Sequence, residues 1–87
     1  MKIDVSHTKN SLTGWDIKVA ISAETGESIA SINILVNDFP QLDERLDPPV
    51  GTYTRTLTQQ GEYPGDNKTL VTVYDQNCKE SNAEDVW

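Results

Sequence analysis

A chain of 87 residues is too short to enclose two independent cores, so residues 1–87 are read as one domain. Leu, Ile, Val and Phe occupy 20 of the 87 positions, more than a chain that stays disordered carries. The net charge of −7 comes from fourteen acids scattered along the chain against seven dispersed bases, which excludes the clustered basic footprint of a nucleic-acid binder and disfavours an anionic membrane surface.

Taken in order, the chain alternates with a period of two almost throughout. Met1 to Ser6 reads as a short strand with Ile3 and Val5 turned inward, and the acid at Asp4 sits where a signal peptide would carry its apolar run. Asn10, Ser11 and Gly14 mark a turn. From Trp15 to Ser22, Trp15, Ile17, Val19 and Ile21 fall on one side and Asp16, Lys18 and Ser22 on the other, the pattern of a half-buried strand with Trp15 in the core. The Glu24-Thr25-Gly26-Glu27 turn leads to a second such run. Here Ala30, Ile32, Ile34 and Val36 are expected inward against Ser31, Asn33 and Asn37, and Leu35 is the discordant position.

Asn37-Asp38-Phe39-Pro40 is another turn, after which Gln41 to Leu46 is expected to form one turn of helix or a short extra strand. Asp47-Pro48-Pro49-Val50-Gly51 breaks the pattern again. Thr52 to Thr58 alternates four threonines with Tyr53, Arg55 and Leu57. Threonine at every second residue suits an exposed pleated face, and Arg55 between apolar neighbours marks an edge strand whose arginine lays its stem on the core. Beyond the loop 59–67, with its Pro64-Gly65-Asp66-Asn67 turn, Leu70 to Tyr74 carries bulk on both faces and reads as a central strand. Asp75 to Ser81 is its corner, with Asp75 bonding the backbone amides of the turn. Asn82 to Trp87 is the weakest strand signal, its apolar content limited to Ala83, Val86 and Trp87. Six or seven short strands separated by turns predict an all-β, antiparallel sandwich.

The run of "IKVAISAETGESIASINILVND", "PPVGTYTRTLTQQGEY" and "KTLVTVYDQNCKES" resembles the bacterial immunoglobulin-like and fibronectin-type-III-like modules, over about residues 15–81. In those modules an apolar strand, an acid-and-Gly turn, an Ile-Ala-Ser-Ile strand and a Gly-x-Tyr strand precede a Val-x-Val-x-x-Asp-x-x-Gly-Asn corner. The resemblance implies an Ig-like sandwich of about seven strands serving as spacer, adhesion module or docking surface, and it carries over no catalytic residue. This chain departs from the pattern at Cys78, where those modules have Gly. Either the corner is built differently, or Asn77 takes the left-handed conformation in its place. The cysteine pair of antibody domains is also absent.

Cys78 is the sole cysteine, so no internal disulfide forms. It could act as a nucleophile only with a base in reach, and the sole histidine, His7, lies at the far end of the sequence. One Cys and one His give no zinc spacing. Acids gather in turns, which raises calcium: Asp75-Gln76-Asn77-Cys78-Lys79 begins like a calcium loop but has Lys79 in a ligand position, and Asp38, Asp43, Glu44 and Asp47 form a second group interrupted by Arg45. Trp15, Tyr53, Tyr63, Tyr74 and Trp87 would suit a sugar-stacking surface, with Tyr63 exposed on its loop. Asn67-Lys68-Thr69 matches a glycosylation sequon, which matters only in a eukaryotic secretory pathway.

The expectation is therefore a non-enzymatic Ig-like structural or protein-interaction module, with no catalytic, cofactor-binding or metal-binding residue assigned and no cofactor. The alternative is a sandwich that binds calcium or carbohydrate through the loops 37–51 and 59–67. The expected partner is another protein, docking by strand addition along Thr52 to Thr58, with neither nucleic acid nor membrane insertion. The chain shows neither signal peptide nor membrane span, which by default places it in the cytoplasm unless it is a module of a longer exported protein.

Overall fold

The computed structural model describes residues 1–10, 14–60 and 65–87. They form seven strands and, among the described residues, no helix: β1 (Lys2–Lys9), β2 (Gly14–Ser22), β3 (Ile29–Val36), β4 (Phe39–Val50), β5 (Thr52–Gln60), β6 (Lys68–Asp75) and β7 (Glu80–Val86). Two antiparallel sheets result, a three-stranded one in the order β1-β2-β5 and a four-stranded one in the order β4-β3-β6-β7, and together they make an all-β sandwich.

The alternation in the sequence sets the layers. Ile17, Val19 and Ile21 from β2 meet Ile29, Ile32, Ile34 and Val36 from β3 and Val71 and Val73 from β6, all shut away from solvent. Each such side chain contributes about 1.5–3 kcal/mol by leaving water. Ile3 and Val5 of β1, Leu42 and Leu46 of β4, and Tyr53 and Leu57 of β5 pack half-buried around this centre. β6 lies between β3 and β7, so both of its sides are hydrogen-bonded, as the bulk on both faces predicted. Among the described residues β5 pairs only with β2 and is an edge, as Arg55 between apolar neighbours predicted.

Of the two forms expected for Gln41 to Leu46 the strand is found and the helical turn is not: the segment is the middle of β4, a twelve-residue edge strand whose Leu42, Glu44 and Leu46 alternate inward, and the turns expected on either side of it are largely strand as well. The prolines at 40, 48 and 49 are tolerated there because an edge strand leaves half of its amides unpaired with the sheet. Three further expectations are corrected. Ile29, not Ala30, is the inward residue at the start of β3. Ile29 and Ser31 face consecutive residues of β6, Asp75 and Tyr74, so Ala30 is the extra residue of a bulge and the phase of the strand shifts there. Trp15 is not in the core but half-buried at its rim. Finally, β7 starts at Glu80 and ends before Trp87.

The discordant Leu35 also has its explanation. It stands on the outer face of the four-stranded sheet, paired with Leu70 on one side and Pro40 on the other. The β3–β4 connection is the two-residue turn Asn37-Asp38, with φ of 51° and 68°. Positive φ at both positions is the type I′ geometry whose twist matches that of the flanking strands.

Candidate functional site

The corner after β6 is built by Asp75, as expected. Its side chain is buried, and Oδ1 accepts hydrogen bonds from the amides of Asn77 and Lys79, both at 2.8 Å. The Cys78 amide donates to the Asp75 carbonyl at 3.0 Å. Cys78 itself, not Asn77, takes the left-handed conformation, with φ 63°. The corner therefore keeps the glycine geometry of the resembled pattern without the glycine. Cys78 is exposed.

His7 lies far from it. His7 Nδ1 donates to Asp85 Oδ2 at 2.7 Å, whereas Cys78 precedes Glu80 at the other end of β7. Five residues of strand separate Glu80 from Asp85, about 16 Å at roughly 3.3 Å per residue. The structure does not bring the Cys78 thiol and the His7 imidazole together. His7 instead belongs to a cluster with Trp15 and Trp87: its ring stacks on Trp87 at 5.7 Å and 22°, and the two indoles are 5.0 Å apart. Trp87 Nε1 donates to the fully buried Thr69 Oγ1 at 3.0 Å.

The remaining sequence candidates disperse. Among the described residues no group of three or more His, Cys, Asp or Glu side chains converges on a point. Asp43 and Glu44, neighbours on a strand, face opposite sides of the sheet, and Asp38 lies in the turn before them. The aromatic residues divide in the same way. Trp15 and Trp87 lie where β1 meets β7, Tyr53 faces β4, and Tyr74 stands on the outer face of the four-stranded sheet with its hydroxyl donating to Glu80 at 2.8 Å. Tyr63 lies outside the described residues. The sequon is buried: Asn67 and Thr69 are both shielded, and Asn67 Oδ1 accepts from Asn37 Nδ2 at 2.9 Å. Of the loop expected at 37–51, residues 39–50 form β4; of that expected at 59–67, residues 59–60 end β5, 65–67 lead into β6 and 61–64 lie outside the described residues.

The lateral edges are more informative. A sheet edge exposes unpaired amides and carbonyls that accept any further strand, and proteins blunt such edges with prolines, bulges and charges. β4 carries three prolines and two register breaks. β7 carries Glu80, Glu84 and the inward Asp85, and β1 carries Lys2, Asp4, His7 and Lys9. β5, Thr-Tyr-Thr-Arg-Thr-Leu-Thr-Gln-Gln, has no proline, no acid and one cation, and its nine residues keep unbroken register with β2.

Beside β5 the two sheets are joined by side chains. Tyr53 Oη donates to Glu44 Oε2 at 2.8 Å, Arg55 lies 3.7 Å from the same oxygen, and Gln59 Nε2 donates to Gln41 Oε1 at 3.2 Å. Burial first, and then the bond to Glu44, raises the Tyr53 phenol above its ordinary pKa. Next to these contacts Val36, Asn37, Phe39, Pro40, Gln41 and Gln59 line an open depression of about 450 Å³. Phe39, 70% exposed, is its largest apolar wall. The sequence placed Phe39 in a turn and missed this wall; the usable signal was the alternation of Leu42, Glu44 and Leu46, which identifies β4 as a strand with one face turned inward.

No protein-family model, curated protein or solved structure matches this chain.

Proposed function

We propose that the chain is a non-enzymatic module of the Ig-like, fibronectin-type-III-like kind that holds another protein along the free edge of β5. The strand order supports the type. The fourth strand joins the third in the four-stranded sheet instead of pairing with the fifth, as it does in the constant-type immunoglobulin arrangement. The observation that carries the docking reading is β5 itself, an edge strand of unbroken register without proline or acid, in a chain of net charge −7 whose other edges are blunted. Strand addition draws its affinity from main-chain hydrogen bonds and its specificity from alternate side chains, and such an edge offers both.

Selection from a displayed random-peptide library, followed by amide hydrogen exchange with the best binder, tests the reading. The expected result is new protection at the β5 amides that point away from β2. A library that yields no binder, or protection confined to the outer face of the four-stranded sheet or to the end loops, overturns it.

A further inference from the structure

The two sheets differ in width, and that difference names the partner. β1 lies against β7 and β6, with the His7–Asp85 bond and the Trp87 stack joining the sheets on that side. With that side in step, the four-stranded sheet extends one strand beyond the three-stranded sheet on the other. β4 therefore reaches past β5, and among the described residues no strand pairs with the outer edge of β5 in the position beneath it. The Glu44–Tyr53 and Gln41–Gln59 bonds close the interior behind that position without occupying it.

We infer that this position receives one extended segment of a partner protein, with apolar side chains at every second residue and basic residues at its ends. The inference rests on the docking function proposed for β5. Adjacent strands share the pleat, so alternate side chains of the added segment point toward the underside of β4. There they meet half-buried Leu42 and Leu46, and opposite Gln59 one of them enters the depression walled by Phe39, Pro40 and Val36.

The flanks follow from charge. Glu44 in the middle of β4 is already matched by Arg55 of β5 at 3.7 Å and Asp43 faces the other side of the sheet, so the acids left at the two ends of the β4 border are Asp38 and Asp47. Cationic ends are drawn to that acidic border, most strongly at low salt. A second copy of the chain does not fit. A symmetric β5–β5 pairing would drive each copy's overhanging β4 into the space above the other's β5, which the other's own four-stranded sheet already covers.

Three synthetic peptides test this: three valines alternating with threonines between pairs of lysines, the same with serine for valine, and the valine form between pairs of glutamates. Binding is read by fluorescence anisotropy, and its place by amide exchange at β5. The expected outcome is protection of β5 by the first peptide and binding about tenfold or more weaker for the serine form, since each lost methyl-bearing side chain removes buried apolar area. The glutamate form should also bind more weakly, with the gap narrowing as salt is added.

Phe39→Ser, at an exposed position that leaves the fold intact, should weaken the valine peptide about threefold or more without moving the unfolding midpoint. If β5 is protected but serine or Phe39→Ser makes no difference, the inference fails and the edge function stands. If the valine peptide leaves β5 unprotected, both fall. β5 protection that rises with protein concentration alone, with a dimer in sedimentation, also overturns the inference.

Discussion

His7 and Asp85, 78 positions apart in the chain, are joined by a 2.7 Å hydrogen bond that ties the first strand of one sheet to the last strand of the other. Ionised Asp85 has only acceptors, so Nδ1 of His7 must carry the proton in this bond. The pair is partly shielded, His7 by the stacked Trp87 ring and the tilted Trp15 ring. Removing either partner leaves the other short of a hydrogen bond in a half-dry place. His7→Ala and Asp85→Ala should each lower stability by about 1–2 kcal/mol, and the double variant by about 0.5–1.5 kcal/mol less than their sum. Urea unfolding followed by tryptophan fluorescence measures all three, and strict additivity would count against a direct bond.

Cys78 occupies a backbone conformation that suits glycine. A non-glycine residue at φ 63° brings Cβ close to its own carbonyl, a strain of about 1–2 kcal/mol that glycine avoids at some cost in unfolded-chain entropy. Cys78→Gly should therefore raise stability by about 0.5–1 kcal/mol, and Cys78→Val should lower it by about 1 kcal/mol because a branched side chain is worse there. A Cys78→Gly variant with an unfolding midpoint below that of the parent would show that the thiol makes a compensating contact.

Most of the fold was legible because most strands bury one face. Ile17, Val19 and Ile21 alternate with polar residues, and a register error of one would have turned all three outward. The failures share a cause. Ala30 was read inward because the pattern was extended backwards through a bulge, which shifts the phase without changing composition. The full length of β4 was missed, with 37–40 and 47–51 read as turns around a helical turn or short strand at 41–46, because three prolines and three acids are loop-like in composition, yet an edge strand with one solvated face tolerates both. Trp15 kept the core phase, but the sheet ends near it, so phase alone did not give depth.

The site was less legible than the fold. Thr52 to Thr58 showed an exposed face in its alternating threonines, and Arg55 between apolar neighbours marked it as an edge. What stayed hidden was the relation of β5 to β4. Glu44, Tyr53 and Arg55 meet only because the chain crosses from one sheet to the other at Gly51, a long-range consequence that no local pattern encodes.

Asp75 holds its corner through two charge-assisted bonds to backbone amides in a buried setting. Asp75→Ala should cost about 2–3 kcal/mol, because it removes both acceptors and leaves the Asn77 and Lys79 amides to find water. Asp75→Asn keeps a carbonyl acceptor and should recover part of that loss. Equal losses for the two variants, measured by denaturant unfolding, would point to packing as the dominant contribution.

Gly14 opens β2 where the backbone has no room for a side chain. A Cβ there would collide with the Gln59 carbonyl of β5 and lie 2.8 Å from Asn10 Nδ2. The asparagine end can swing away, whereas the carbonyl belongs to a paired strand and cannot move without opening the ladder. Gly14→Ala should therefore cost about 2 kcal/mol or more, despite alanine's smaller entropy loss on folding. Gly26, with open space around its Cα, is the control for crowding: Gly26→Ala meets only the strain of its φ of 87° and should cost about 1 kcal/mol.

The Tyr53 phenol gives the alkaline limit of the seam. Its pKa is raised in the folded protein, by burial and then by the Glu44 carboxylate, so the folded state keeps its proton after the unfolded chain has lost it at about pH 10. More protons bound in the folded state means that stability is full below pH 10 and falls as the pH rises beyond it. Tyr74, raised by its bond to Glu80, adds to the same slope. Tyr53→Phe should flatten the decline in urea midpoint above about pH 10, and Glu44→Gln should bring the folded phenol's ionisation, followed by its ultraviolet absorbance, down toward its ordinary value. A decline unchanged by Tyr53→Phe would mean that the hydroxyl is not held by Glu44 and that the side of the sandwich beneath β4 is looser than the hydrogen bond implies.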